Sequence, residues 1–343
     1  MHKKQSCAGV LKSSAPHIVI AGAGAIGCFV GGLLAHSGHR VSFLGRPRVL
    51  DGLRSEGLHL TDFAGLDIHL KAEALDLHTD PEVLATADLV LVCVKSAATA
   101  DIAQQIAEVA PKDAIIVSLQ NGMGHAETLR VALPDHDIRA GMVPFNVVPM
   151  KGARFHRATS GDILIGAGPV DVAAMIGVAG LHVSESEEIE AIQWGKFLLN
   201  LNNAPNALSG LTLHAQLLDR PWRCLMADQM AEALAVLQAH GCTVKPTTPV
   251  PVWLLPHILR LPTPLFRQIA AKMLTIDPQA RTSMAHDLDA GRPTEIDALQ
   301  GRIIEMGQVK AIPTPLCATV LKSIKQAEGA DLCGPVTPAD LRR

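Results

Sequence analysis

Lys196 and Asn200 stand four residues apart in Trp194-Gly195-Lys196-Phe197-Leu198-Leu199-Asn200, a stretch that is otherwise mostly apolar. On a helix, that spacing puts an amine and an amide on one face. An ammonium among Phe and Leu is costly to bury unless it has a partner or a task. Asn203 follows three residues on and stays close to that face if the helix continues. An exposed polar stripe on an amphipathic helix is the competing reading. A second polar group runs Ser283-Met284, Asp287, then Gly291-Arg292-Pro293-Thr294-Glu295-Ile296-Asp297. Gly-Arg-Pro breaks one helix, and Thr294 caps the next with Glu295 in its first turn. There the helix dipole alone favours a carboxylate, so spacing by itself leaves a role for Glu295 open.

A third group lies near the N-terminus. Gly22-Ala23-Gly24-Ala25-Ile26-Gly27 follows the strand-like HIVIA and precedes a run of small apolar residues. In a strand–turn–helix, the first glycine permits the tight turn and the second lets backbone approach a pyrophosphate. The third lets the helix pack on the sheet, with its N–H groups facing the anion. Gly22, Gly24, Ala25, Ile26 and Gly27 are therefore expected to hold a dinucleotide. The second strand ends Leu44-Gly45-Arg46-Pro47-Arg48, with no carboxylate before Asp51 to accept from a ribose 2′-hydroxyl. An arginine fork suits a 2′-phosphate instead. The expected cofactor is NADPH, with Arg46 as its main phosphate contact and Arg48 in support. Lys95 and Asn121 follow two further buried strands, at the ends where open α/β sheets bind ligands.

The elements that must position these groups alternate in the first half. Arg40–Leu44, Ala87–Val94, Ala114–Leu119, Ala140–Phe145 and Asp162–Ile165 read as strands, and Ile26–Ser37 and Thr99–Ala110 as helices. Continuous apolar strands imply a parallel sheet covered on both faces. From about residue 187 helical patterns take over: Glu188–Leu201, Trp222–His240, Leu265–Leu274, Thr294–Gly307 and Thr314–Ala327. The expected fold is an α/β Rossmann-type N-terminal domain with a parallel-rich sheet, plus an all-α C-terminal domain. The expected bounds are a loose tail over 1–16, the dinucleotide domain over 17–186, the helical domain over 187–330 and a C-terminal tail over 331–343. The Pro-rich stretch 246–264 is expected to be extended and at the surface.

Composition narrows the functional classes. The chain has 343 residues, 48% apolar and 18% charged, which is enough apolar material for a large core. Lys and Arg total 30 against 33 Asp and Glu, with no strong basic cluster, so nucleic acid is not the expected partner. No membrane span is expected, since prolines interrupt the apolar stretch 250–265. Seven widely spaced cysteines without a CxxC fit a reducing, cytoplasmic setting, and no metal-ligand spacing stands out.

Taken together, GAGAIG, Lys95 in VCVKS, Gln120-Asn121-Gly122, Lys196 with Asn200, and Ser283 through Asp297 resemble the ketopantoate reductase (2-dehydropantoate 2-reductase) family over residues 17 to about 330. The resemblance implies NADPH-dependent reduction of 2-dehydropantoate, with the site in a cleft between the two domains. It implies Lys196 as catalytic lysine, Glu295 at the substrate hydroxyl, Ser283 at the substrate carboxylate and Asn200 on the substrate side. Arg46, Lys95 and Asn121 match the cofactor side, and Asn121 also faces substrate. On that reading Lys196 stabilises the developing oxyanion and donates the proton. The chain departs from the family at Ala204, where another asparagine is common; Asn203 is the better-placed substitute and Asn206 the other. That departure leaves open a different 2-oxo acid or an imine as substrate. A non-catalytic NADP(H) sensor is the alternative of another class, and a homodimer is an open possibility.

Overall fold

The computed structural model describes residues 15–248, 250–271, 279–329 and 334–342. The twelve strands are β1 (His17–Ala21), β2 (Arg40–Leu44), β3 (Leu58–Asp62), β4 (Asp67–Leu70), β5 (Asp76–His78), β6 (Leu89–Val92), β7 (Ile115–Ser118), β8 (Asp137–Met142), β9 (Val147–Met150), β10 (Arg154–Arg157), β11 (Ile163–Gly166) and β12 (Val183–Ser186). Between them run α1 (Ala25–His36), α2 (Pro47–Glu56), α3 (Thr99–Val109), α4 (His125–Ala132) and α5 (Val172–Ile176).

Eight strands form one sheet in the order β12-β11-β8-β7-β6-β1-β2-β5. Every pairing is parallel except β11 with β8. From β5 to β8 this is the doubly wound dinucleotide-binding order, and the direction of winding reverses between β1 and β6. The residues of β1, β6 and β7 are buried throughout, as expected of strands rich in Ile, Leu and Val with helices on both faces. A second sheet, β4-β3-β10-β9, was not expected from the sequence. Its inner residues Leu58 and Leu60 pack on α1 at Gly32, where an added Cβ would come within 2.7 Å of the Leu58 side chain.

The C-terminal region is helical: α6 (Ile189–Asn200), α7 (Asn203–Ser209), α8 (Leu213–Leu218), α9 (Arg220–Ala239), α10 (Leu255–Leu259), α11 (Thr263–Ile269), α12 (Ser283–Asp289), α13 (Arg302–Val309) and α14 (Pro315–Glu328). Its core gathers Phe197, Leu225, Met230, Leu259, Phe266 and Ile303 around α9.

Three expectations are corrected here. From Val252 on, the Pro-rich stretch is mostly helical and packed rather than extended. Pro256 and Pro264 lie in first turns, where a missing N–H goes unneeded, and Val252, Leu255 and Leu259 are buried. The fully buried Arg223 anchors the segment by donating to the Leu259 and Leu261 carbonyls at 3.1 and 2.8 Å, with its guanidinium 4.2 Å from the Phe266 ring centre. The helix expected over Thr294–Gly307 opens instead with a π-turn at Asp297–Gly301, closed by Gly301 N–H on the Ile296 carbonyl at 3.1 Å. Residues 334–342 pack on the helical region: Leu341 is buried, and the Val336 N–H meets the Leu208 carbonyl. The helix expected over Leu265–Leu274 belongs to α11, which starts at Thr263; residues 272–278 lie outside the described residues, as do the tail up to residue 14, Cys7 and Cys333. Among the described residues no helix is long and apolar enough to cross a membrane.

Candidate active site

The glycine turn sits at the reversal point of the sheet. Gly22 adopts φ +115°, and a Cβ there would lie 2.7 Å from the Val94 nitrogen, so only glycine fits. A Cβ on Gly27 would fall 2.1 Å from the Gly22 carbonyl oxygen, which fixes how closely α1 approaches the turn. At Gly24 the nearest atom to such a Cβ is the Cys93 oxygen at 3.9 Å, so the turn is open on that side. Cys28 N–H makes the first helical bond, to Gly24, and the N–H groups of Ala25, Ile26 and Gly27 precede it. Arg46 and Arg48 flank the start of α2, both exposed and without an ion pair among the described residues. An open glycine turn at a helix N-terminus, beside unpaired guanidinium groups, fits the phosphates of a dinucleotide.

Lys196 faces the C-terminal edge of the same sheet from α6. Its ammonium donates to Asn121 Oδ1 at 3.0 Å and to the Val143 carbonyl. The two acceptors follow β7 and β8, so the helical region delivers the amine and the sheet receives it. Desolvation lowers the Lys196 pKa to about 8, although Glu295 pulls it the other way. Gln120, Asn121, Val143, Gln193, Phe197 and Asn200 line a narrow crevice around Lys196.

Glu295 is half-buried and accepts from Ser96 Oγ at 3.0 Å. Ser96 follows Lys95, so the carboxylate of one region is held by the strand-end loop of the other. His125 approaches the loop after β7: its Nε2 lies 2.8 Å from the Asn121 carbonyl oxygen, which requires an Nε2–H donor. Burial lowers the His125 pKa and favours the neutral ring. Lys95 itself pairs with Asp287 of α12 at 2.9 Å, and Asp287 also accepts from Arg292 at 2.9 Å. Ser283 opens α12 one turn before Asp287 and is exposed.

Asn203 does not line the crevice. Pro205 has no N–H to give to the Leu201 carbonyl, and the helix is interrupted at Leu201–Asn202 before α7 begins. Gln300, fully buried in the π-turn after Glu295, donates to that vacant carbonyl at 2.7 Å. Asn206 is fully buried and occupied: it donates to Leu211 and Gln216 and accepts from Thr282 N–H. Ala204 is wholly buried in the helical core.

Several contributors escaped the sequence reading. Gln120 donates to the Val94 carbonyl at 3.1 Å and Thr99 Oγ1 at 2.7 Å and accepts from Ser118, which pins two strand ends together. Its place directly before Asn121 at a strand end was the available clue. Ser96 was similarly readable from VCVKS, whereas the Val143 carbonyl carries no sequence mark.

This fold and site define an oxidoreductase acting on CH–OH and C=O groups with a nicotinamide dinucleotide. Residues 18–169 match the family model described as ketopantoate reductase PanE/ApbA, and residues 188–328 match its C-terminal counterpart. The 2-dehydropantoate 2-reductase of Halobacterium salinarum is 27% identical over 320 residues, which is 91% of this chain and 98% of that protein. The crystal structure of a PanE/ApbA family ketopantoate reductase from Ralstonia eutropha shares 30% identity with a TM-score of 0.78, covering 92% of this chain and 99% of that one. D-mandelate dehydrogenase, solved with NADH and anilino(oxo)acetate, is 21% identical with a TM-score of 0.76 over 92% of this chain and 99% of its own, a likeness in fold alone. The chain belongs to the ketopantoate reductase PanE/ApbA family.

Proposed function

We propose that this chain reduces 2-dehydropantoate to (R)-pantoate with NADPH, with Lys196 as general acid. The observation that carries the reading is the desolvated Lys196 ammonium between Asn121, Val143 and the field of Glu295. The glycine turn and Arg46 would hold the dinucleotide, which when bound supplies a hydride to the substrate's carbonyl carbon. Lys196 hydrogen-bonds the carbonyl oxygen, stabilises the charge that builds there, and gives it a proton. An ammonium has three donors, and Asn121 and Val143 take two of them. Glu295 orients the substrate hydroxyl, with Ser96 fixing its carboxylate. Asn200 and Ser283 hold the substrate's other oxygens, and Lys95 and Asn121 contact the cofactor side. Loss of NADPH absorbance with 2-dehydropantoate, measured against a panel of 2-oxo acids, tests the assignment. A clear kcat/KM preference for 2-dehydropantoate is expected.

A second reading keeps the hydride chemistry and changes the acid. Ala204 and the fully bonded Asn206 support it, since neither offers an amide to the substrate. D-mandelate dehydrogenase, a chain of the same fold, acts on another 2-hydroxy acid. A stronger preference for another member of the panel would establish this reading and displace the first.

The lysine pKa gives the pH dependence. A general acid works protonated, so kcat/KM for the oxo acid should fall about tenfold per pH unit above about 8. Glu295 raises the lysine pKa, so Glu295→Gln should move that limb to lower pH. A limb that stays in place in Glu295→Gln would remove the coupling between the two groups.

A further inference from the structure

The outer face of the small sheet carries a cluster that the proposed reaction does not use. His59 on β3 and His69 on β4 are direct partners across the antiparallel pair. Asp67 stands two residues before His69 and so shares its face. Leu58 and Leu60 alternate with His59 and are buried, so the pleat turns the His59 imidazole outward. The two imidazoles stack with ring centres 3.6 Å apart. Their Nε2 atoms lie 2.7 Å and 3.3 Å from one and the same oxygen, Asp67 Oδ1.

We propose that His59, Asp67 and His69 form a surface binding site for a divalent transition metal of borderline softness, with Zn²⁺ the cation that suits it. Two imidazole nitrogens and one carboxylate oxygen are a zinc donor set, whereas Ca²⁺ and Mg²⁺ prefer oxygen alone. Bonds of about 2.0–2.2 Å to a tetrahedral zinc place neighbouring ligand atoms roughly 3.3–3.5 Å apart. All three ligand atoms already lie within 4.8 Å of one another, so rotamer shifts rather than backbone movement would close the site. In the metal-free protein two imidazoles share a single acceptor oxygen, and a cation replaces both contacts with coordination. The Asp67 carboxyl is held below the usual carboxylate range, chiefly by its hydrogen bond from His59. The positive neighbour, Arg154, pairs with His59 across β10 but directs its N–H groups to the Met150 sulfur at 3.3 and 3.0 Å. His156 is engaged with Thr61 at 2.9 Å. The exposure of Asp67 and His69 leaves the remaining coordination positions to water. Linear spacing hides the site because strand pairing, not proximity in the chain, joins His59 to the other two.

Calorimetric titration of the full chain, freed of metal by a chelator, with ZnCl₂ is the test. One equivalent should bind with micromolar affinity, and His59→Gln and His69→Gln should each weaken it about tenfold or more. Because other histidines and thiols can take zinc, the difference between parent and variants is the criterion. Co²⁺ gives a second readout: a visible ligand-field band in the parent that is lost in His69→Gln. The variants are surface substitutions, so turnover with NADPH should be unchanged and reports that the chain is folded. Unchanged zinc affinity and stoichiometry in both variants, or no saturable binding by the parent, would overturn the proposal.

Discussion

Lys196→Ala is expected to lower kcat with 2-dehydropantoate about 10³-fold while NADPH binding stays near its parent value. General-acid transfer typically contributes about 10²–10⁴-fold, and loss of one oxyanion donor alone costs about 10²–10³. The two roles fall on one ammonium, so their losses overlap rather than multiply. About 4 kcal/mol of transition-state stabilisation corresponds to that factor. On the proposed reading the dinucleotide is held by the glycine turn and Arg46, neither of which is a partner of the Lys196 ammonium, so the defect belongs in kcat and not in cofactor affinity. Small primary amines added to Lys196→Ala should restore part of the rate, which a merely structural lysine would not show. A variant that turns over any 2-oxo acid at the parent rate would end the general-acid assignment.

Arg46→Asp is expected to weaken NADPH binding by about 10²–10³-fold and to leave NADH affinity level or improved. Arg46 caps the start of α2 at the end of β2, is exposed, and has no ion pair among the described residues to lose. Its removal should therefore cost little in folding. Truncating one partner of a close charge pair typically costs about 2–5 kcal/mol, and the aspartate adds repulsion toward a 2′-phosphate. The same aspartate supplies the ribose acceptor that this strand end lacks. Fluorescence titrations with both dinucleotides give the comparison, and equal weakening of the two would remove the phosphate assignment. The short Gly45-Arg46 link after a buried strand allows little rearrangement: a Cβ at Gly45 would already meet Ala23 at 2.8 Å.

Much of this was readable because it depends on local pattern. The run HIVIA, the glycine turn and the apolar strand around Leu89–Val92 each report their own burial, and the large sheet follows from them. The small sheet was missed because its strands come from distant segments, β3 and β4 against β9 and β10, and short alternating runs resemble loops until they pair. Among candidate site residues, Lys196 and Asn200 line one crevice, as four-residue spacing on a helix implies, and Asn121 meets them there from a strand end 75 positions away from Lys196, which spacing does not reach. The partnership of Lys95 with Asp287 joins groups 192 positions apart, which no spacing rule reaches. Asn203 was placed by assuming an unbroken helix, and Pro205 breaks it. The stretch around Pro256 and Pro264 is expected to be extended because proline is poor inside a helix, yet both open helices, where there is no bond to lose.

The Gln300 bond to the Leu201 carbonyl has a mechanical effect. It rivets the backbone just beyond Lys196 to the turn that carries Glu295, through a side chain shut away from water. Lys196 and Glu295 therefore share one stiff chassis, while Asn121, Val143 and Ser96 belong to the sheet. Any opening of the crevice would leave Lys196 and Glu295 together and break only the contacts that cross to the sheet, those of Lys196 with Asn121 and Val143 and of Glu295 with Ser96.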